Sequence, residues 1–311
     1  MDGRIAVIGT GVIGASWAAQ FLAAGYDVIA YDPATGAEAR SRAAVAEAWP
    51  ALTRLGLASG ASLARLSFTT DPAVAVAEAV FVQESGPERA DLKQHLLTTI
   101  DQAAPADTVI ASSSSGLRPT ELQQMCAAHS ERVLVGHPFN PVHLIPLVEV
   151  VPGESTSVAA VERAMALYTS LGKRPILVRQ ELPGHVTNRL QAALWQEAYS
   201  LVERGVVSVA DIDAAIAWGP GLRWALLGPL LNQHLSGGAG GMAHTLAHLG
   251  PPAEAWMADL RRARLTPELT DLLVRGVDEE LAGVDLGELI QQRDDLLVAL
   301  LEAKRDRRAL P

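Results

Sequence analysis

The chain has 311 residues, about half of them apolar, which is enough for two domains of ordinary size, each with its own core. A net charge of −10 argues against nucleic acid or an anionic membrane as the main partner, and the single cysteine, Cys126, excludes an internal disulfide and a thiolate zinc site, so no metal is expected. No apolar run approaches the ~20 residues of a membrane-spanning helix, and no basic segment with an apolar core and cleavage site precedes the first strand, so a soluble, cytoplasmic chain is expected.

The first predicted element is a strand over 4–9, followed at once by a helix over 12–24 and a second strand over 27–31. The junction reads Gly9-Thr-Gly-Val-Ile-Gly14, with Gly9, Gly11 and Gly14 in the G-x-G-x-x-G spacing. Gly9 permits the tight turn out of the strand, Gly11 lets a pyrophosphate approach the backbone, and Gly14 lets the helix pack on the sheet. The pyrophosphate would rest on the amides at the helix start, around Val12 and Ile13. Asp32 ends the second strand 18 residues after Gly14. A carboxylate there suits the two ribose hydroxyls and repels a 2′-phosphate, and no arginine follows directly, so NAD is expected over NADP.

Further helices are predicted over 37–57 and 91–103, and strands over 79–84, 108–112, 133–137, 147–151 and 175–178. Strand–helix alternation argues for a doubly wound α/β sheet of the Rossmann type, mostly parallel. The closely spaced last strands leave room for an antiparallel part. Cys126 falls in an apolar stretch, 122–127, that reads as a helix face, so a structural thiol is expected. Past about Pro183 the texture changes: 188–204 carries helical apolar spacing, Ser208 reads as the N-cap of a helix over 209–217, and the remainder reads as helices broken by Gly and Pro. The expected domains are therefore 1–183 and an all-α 184–311, with the glycine run 236–242 as a local turn or helix junction.

Four segments carry polar residues in a distinctive order: Ala111-Ser-Ser-Ser-Ser-Gly-Leu117, Gly136-His-Pro-Phe-Asn-Pro-Val142, Pro146-Leu-Val-Glu-Val150 and Pro183-Gly-His-Val-Thr-Asn-Arg-Leu190. In these segments, and over most of its length, the chain resembles the 3-hydroxyacyl-CoA dehydrogenase family. The resemblance implies a His–Glu pair that moves the proton, His137 and Glu149, and two residues that hydrogen-bond the substrate, Ser115 and Asn188. Such chemistry needs a base for the hydroxyl proton as hydride leaves carbon. Histidine titrates near neutrality, and a carboxylate on its far nitrogen fixes the tautomer and stabilises the imidazolium. The resemblance also implies an acid facing the nicotinamide-side ribose. It is carried onto Glu84, with Arg89 as a second cofactor candidate. His185 departs from the family pattern, where an apolar or aromatic residue is expected, and would reshape the pocket. The other histidines read as structural or surface residues, though His143 and His234 lie near pocket segments.

The substrate is less constrained. The segment Gly221-Leu-Arg-Trp-Ala-Leu-Leu-Gly-Pro229 is similar to the branch of the family containing L-gulonate 3-dehydrogenase, the lambda-crystallins and L-carnitine 3-dehydrogenase. There Arg223 would clamp a free carboxylate, and Trp195, with Trp218 and Trp224, would offer an aromatic wall to a trimethylammonium group. Structural roles for this arginine and these tryptophans stay open. An acyl-CoA or polyketide substrate, and a non-catalytic NADH-binding protein, are the alternatives. The apolar helical part implies a homodimer.

Overall fold

The computed structural model describes residues 3–124, 126–305, 307 and 310. Its contacts divide the chain into two compact units, Met1–Arg189 and Leu190–Pro311.

In the first unit the elements follow as β1 (Arg4–Ile8), α1 (Val12–Ala23), β2 (Asp27–Tyr31), α2 (Ala37–Leu55), β3 (Leu66–Thr69), α3 (Pro72–Val76), β4 (Ala79–Glu84), α4 (Ala90–Ala103), β5 (Val109–Ser112), α5 (Pro119–Gln123), β6 (Val133–Pro138), β7 (Leu147–Pro152), α6 (Val158–Ser170) and β8 (Arg174–Leu177). The strands form one sheet in the order β3-β2-β1-β4-β5-β6-β7-β8. All neighbours are parallel except β6 and β7, which run antiparallel, as the short connection between them allows. Strand order reverses between β1 and β4, so the crevice of a doubly wound sheet opens at the C-terminal ends of those two strands.

The apolar strands are continuous runs because both faces of the sheet are covered. Ile5, Val7, Phe81 and Leu134 pack with Trp17, Phe21 and Leu22 of α1 on one face. Ala6, Ile8, Val82 and Ile110 pack with Leu97 and Ile100 of α4 on the other.

Several elements had no counterpart in the sequence reading, among them the short helix α3, β3 and α6. β3 is a four-residue edge strand, largely half-exposed, so it has no apolar run to read. α6 supplies the crossover that makes β8 parallel to β7, capped by the Ser157 side chain. Cys126 corrects the expected helix face, because α5 ends at Gln123. The thiol is nevertheless buried, and burial pushes it up to about 12, which suits a structural role.

α7 (Thr187–Glu203) runs from the first unit into the second. The second unit continues as α8 (Val209–Ala217), α9 (Pro220–Leu227), α10 (Pro229–Ser236), α11 (Gly241–Asp259), α12 (Pro267–Glu280) and α13 (Leu286–Arg305), and its described residues contain no strand. Ser208 caps α8 through a reciprocal box with Asp211. Not every Gly or Pro of this part breaks a helix, since α11 runs through Pro251 and Pro252. The two prolines remove bonds only to the carbonyls of Ala247 and His248, which lie on an exposed stretch open to solvent. No helix among the described residues is long and apolar enough to cross a membrane.

Candidate active site

The glycine turn after β1 leaves little freedom. Gly9 has φ +91°, and a Cβ there would lie 2.7 Å from the Ser85 carbonyl oxygen. A Cβ on Gly14 would lie 1.8 Å from the Gly9 oxygen, so α1 packs on the turn only because residue 14 has no side chain. Around Gly11, by contrast, a Cβ would meet nothing within 4 Å. No side chain caps α1, and Val12, beside Ile13 at its start, is 72 % exposed, so the first-turn amides face an open side. Asp32 is held in place: its Oδ2 accepts from the Thr10 amide and hydroxyl at 2.9 and 3.0 Å, and its Oδ1 from the Ala34 amide at 3.0 Å. An open glycine cradle, an uncapped helix start and a pre-oriented carboxylate together fit the pyrophosphate and ribose of NAD. Asp32→Ala is expected to raise KM for NAD about 10- to 100-fold, the worth of charge-assisted hydrogen bonds of about 1.5–3 kcal/mol. It should also narrow the preference over NADP; initial rates with both cofactors check this.

Glu84 is corrected. Its carboxylate is 0 % exposed and fully engaged. Lys93 Nζ lies 2.8 and 2.9 Å from its two oxygens, the Ser112 hydroxyl donates to Oε2 at 2.5 Å, and the Gly86 amide donates to Oε1 at 2.5 Å. With both oxygens engaged inside the protein, Glu84 anchors the loop after β4 and presents no free acceptor at the surface. The acid at the open edge is Glu88, which the sequence reading missed. Its Oε1 accepts from the Ser114 hydroxyl at 2.6 Å and from the Ser115 and Gly116 amides at 3.0 Å. Burial alone would raise its pKa, but these bonds and the Lys93 charge outweigh it and lower the value. Arg89 is exposed and paired with Asp91 at the start of α4.

The antiparallel pairing of β6 with β7 sets His137 directly opposite Glu149, so the two side chains share one face. His137 Nδ1 lies 2.8 Å from Glu149 Oε2, and Nε2 lies 3.2 Å from the Ser115 hydroxyl. An ionised carboxylate only accepts, so Nδ1 donates and Nε2 keeps its lone pair towards Ser115. The other oxygen of Glu149 accepts from the Val186 and Thr187 amides at 3.0 and 2.9 Å and from the Thr187 hydroxyl at 3.2 Å. Glu149 thus sits at the start of α7, where free amides favour negative charge. Burial alone would raise its pKa, but the bonds from His137, Thr187 and Val186 prevail and lower it. Asn188 Nδ2 donates to the Ser115 carbonyl at 3.3 Å.

The four residues singled out in the sequence therefore meet within the first unit. Beside them lies His185, with its ring centre 5.3 Å from that of His137. His143 is drawn away, its Nδ1 bonded to the Ser16 hydroxyl at 2.8 Å. Thr187 had one signal in the sequence, its place directly before Asn188 at a helix start. Trp195 and Arg223 both belong to the second unit and are exposed there, Trp195 on α7 and Arg223 on α9.

A family model described as "3-hydroxyacyl-CoA dehydrogenase, NAD binding domain" matches residues 4–182, and its partner, "3-hydroxyacyl-CoA dehydrogenase, C-terminal domain", matches residues 184–271. An L-carnitine dehydrogenase of Streptomyces griseus is 51% identical over 300 residues, covering 96% of this chain and 89% of that protein. One of Pseudomonas aeruginosa is 50% identical over 304 residues, covering 98% and 94%. Among solved structures, an NAD+-dependent dismutase, 5-formyl-3-hydroxy-2-methylpyridine 4-carboxylic acid 5-dehydrogenase, superposes with a TM-score of 0.85 at 31% identity over 98% of this chain and 99% of that one.

Proposed function

The chain belongs to the 3-hydroxyacyl-CoA dehydrogenase family, whose members are NAD-dependent dehydrogenases, and from that premise we infer that it oxidises the C3 hydroxyl of a small 3-hydroxy acid, L-carnitine. The observation that carries this reading is the contact of His137 with buried Glu149 on one nitrogen and with Ser115 on the other. The choice of carnitine within the family is supported by the names of relatives about half identical over nearly the whole chain.

In this reading NAD is held by the turn from Gly9 to Gly14 and by Asp32, and when bound it supplies the hydride acceptor. Ser115 and Asn188 hydrogen-bond the oxygen at C3 and stabilise the charge that grows on it. His137 Nε2 takes the hydroxyl proton. Glu149 keeps the ring in the Nδ1–H tautomer and balances the imidazolium, and it is itself kept ionised by the amides of Val186 and Thr187. In reduction His137 returns the proton.

On the sequence side, Arg223 is assigned to the substrate carboxylate as a bidentate donor, and Trp195 to the trimethylammonium through cation–π attraction. A homodimer through the helical unit belongs to the same reading. The exposed tryptophans of that unit, including Trp218 and Trp224, favour a covered surface.

The test is NADH absorbance with L-carnitine, L-gulonate, 3-hydroxybutyrate and 3-hydroxybutyryl-CoA. L-Carnitine should give the highest kcat/KM. Arg223→Ala should raise KM for the free acid about 10- to 100-fold with little change in kcat, as loss of a charge-assisted pair of about 1.5–3 kcal/mol implies. Faster turnover of the thioester together with an indifferent Arg223→Ala would hand the site to acyl-CoA. No turnover of any substrate, with NADH binding intact, would leave a binding protein.

A further inference from the structure

His185 is the one histidine at the site without a place in the chemistry above. It lies in the turn between β8 and α7, is 0 % exposed, and has φ +50°, a left-handed conformation unusual for a residue with a side chain. Its Nε2 lies 3.0 Å from the Ser114 carbonyl oxygen, so that nitrogen carries the proton and donates. Its Nδ1 is buried with no hydrogen-bond partner among the described residues.

The neighbours of His185 give this bond its meaning. The next two residues, Val186 and Thr187, hold Glu149 through their amides. The third, Asn188, donates to the carbonyl of Ser115. The Ser114 carbonyl that His185 grips is one residue from the Ser115 hydroxyl, which lies 3.2 Å from His137 Nε2. One short turn therefore touches both the support of the base and the loop that carries the substrate donor. Of these links, the grip on Ser114 is a side-chain bond that a substitution removes without altering the backbone amides.

We propose that His185 is a positioning residue for hydride transfer: its Nε2–H, fixed on the Ser114 carbonyl, sets the Ser115 hydroxyl against His137 while its turn holds Glu149. The idea rests on the acid–base reading of His137. It also requires His185 to stay neutral, which the packing favours. Burial lowers its pKa, as does His137 on β6, which carries the positive charge during turnover; the Ser114 bond, Glu149 on β7 and Glu88 before α4 act the other way and do not prevail. Protonation would also place a second buried donor where no acceptor stands.

The test compares His185→Phe, which keeps the ring bulk and removes the donor, with His185→Gln, whose amide nitrogen reaches the position of Nε2. His185→Phe should lower kcat about 10- to 100-fold, the effect of a misplacement of about 1 Å at a reacting centre, with KM for NAD changed less than about twofold. His185→Gln should restore kcat to within about threefold of the wild type, since the donor returns. Should His185→Phe fail to fold, as judged by NADH fluorescence and a cooperative melt, His185→Asn takes its place; asparagine accepts the left-handed backbone, and its amide stops short of Ser114. Wild-type kcat in the donor-free variant, or a loss in His185→Gln as large as in that variant, overturns the proposal. His137→Gln is assayed alongside. If it stays active, the acid–base reading itself is wrong. If it is inactive while His185→Phe turns over normally, only the role of His185 fails.

Discussion

His137→Gln is expected to lower kcat about 10²- to 10⁴-fold, the range contributed by a positioned general acid–base group, while NADH binding, followed by fluorescence, stays near that of the wild type. Glutamine keeps a polar group near Nε2 but has no basic lone pair that takes a proton at neutral pH. The residues proposed to hold the cofactor, Gly9 to Gly14 in the turn from β1 into α1 and Asp32 just after β2, lie on other elements and lose nothing. Glu149→Gln is expected to fall in the same range, because the amide neither balances the imidazolium nor enforces the Nδ1–H tautomer. The double variant should be little worse than His137→Gln alone, since two groups that act as one unit lose the same step once. Additive losses would show that Glu149 acts apart from the imidazole. Near-wild-type kcat in His137→Gln would remove the base from the mechanism.

Lys93→Met is expected to destabilise the protein by about 3–5 kcal/mol, the usual consequence of leaving one member of a buried ion pair uncompensated, and to lower Tm by roughly 6–20 °C. Lys93 is 1 % exposed and bridges both oxygens of Glu84 as well as the Gly86 carbonyl. Removing its charge leaves the buried Glu84 carboxylate without its counter-ion. Adding Glu84→Gln should recover much of the loss, because the stranded charge goes with it. Calorimetry of the two single variants and the double variant separates these contributions. An unchanged Tm together with weakened NADH binding would return Lys93 and Glu84 to the cofactor.

How far the site was legible differs from residue to residue. The β1–α1–β2 start was open to reading because a glycine turn, a helix start and a strand-end acid are local features with fixed spacing. His137 and Glu149 were legible only through the family motifs that carry them; that an antiparallel return makes these residues direct neighbours is read from the structure. Glu84 and Glu88 were not separable in this way. They stand four residues apart in Glu84-Ser-Gly-Pro-Glu88, and only the path of the loop decides which of them faces outward. What decided it is long-range: Ser112 from β5 and Lys93 from α4 close over Glu84, while the loop after β5 offers its amides to Glu88. β3 and α6 were missed for a related reason, since a short edge strand and a crossover helix owe their place to packing more than to pattern.

By its own pattern the amino-acid order determined a strand–glycine–helix nucleotide turn, a mostly parallel sheet and a helical second half, because each depends on chemistry repeated at short, regular intervals, while the four polar residues of the site were named by the family motifs they stand in. Only the tertiary structure decided which acid is sealed in the core, that the amides of Val186 and Thr187 carry the far side of Glu149, and that His185 reaches Ser114 across 71 residues of chain. Those outcomes depend on which distant backbone groups arrive at the same point, and hydrogen bonds between remote segments leave no periodicity for the sequence to display.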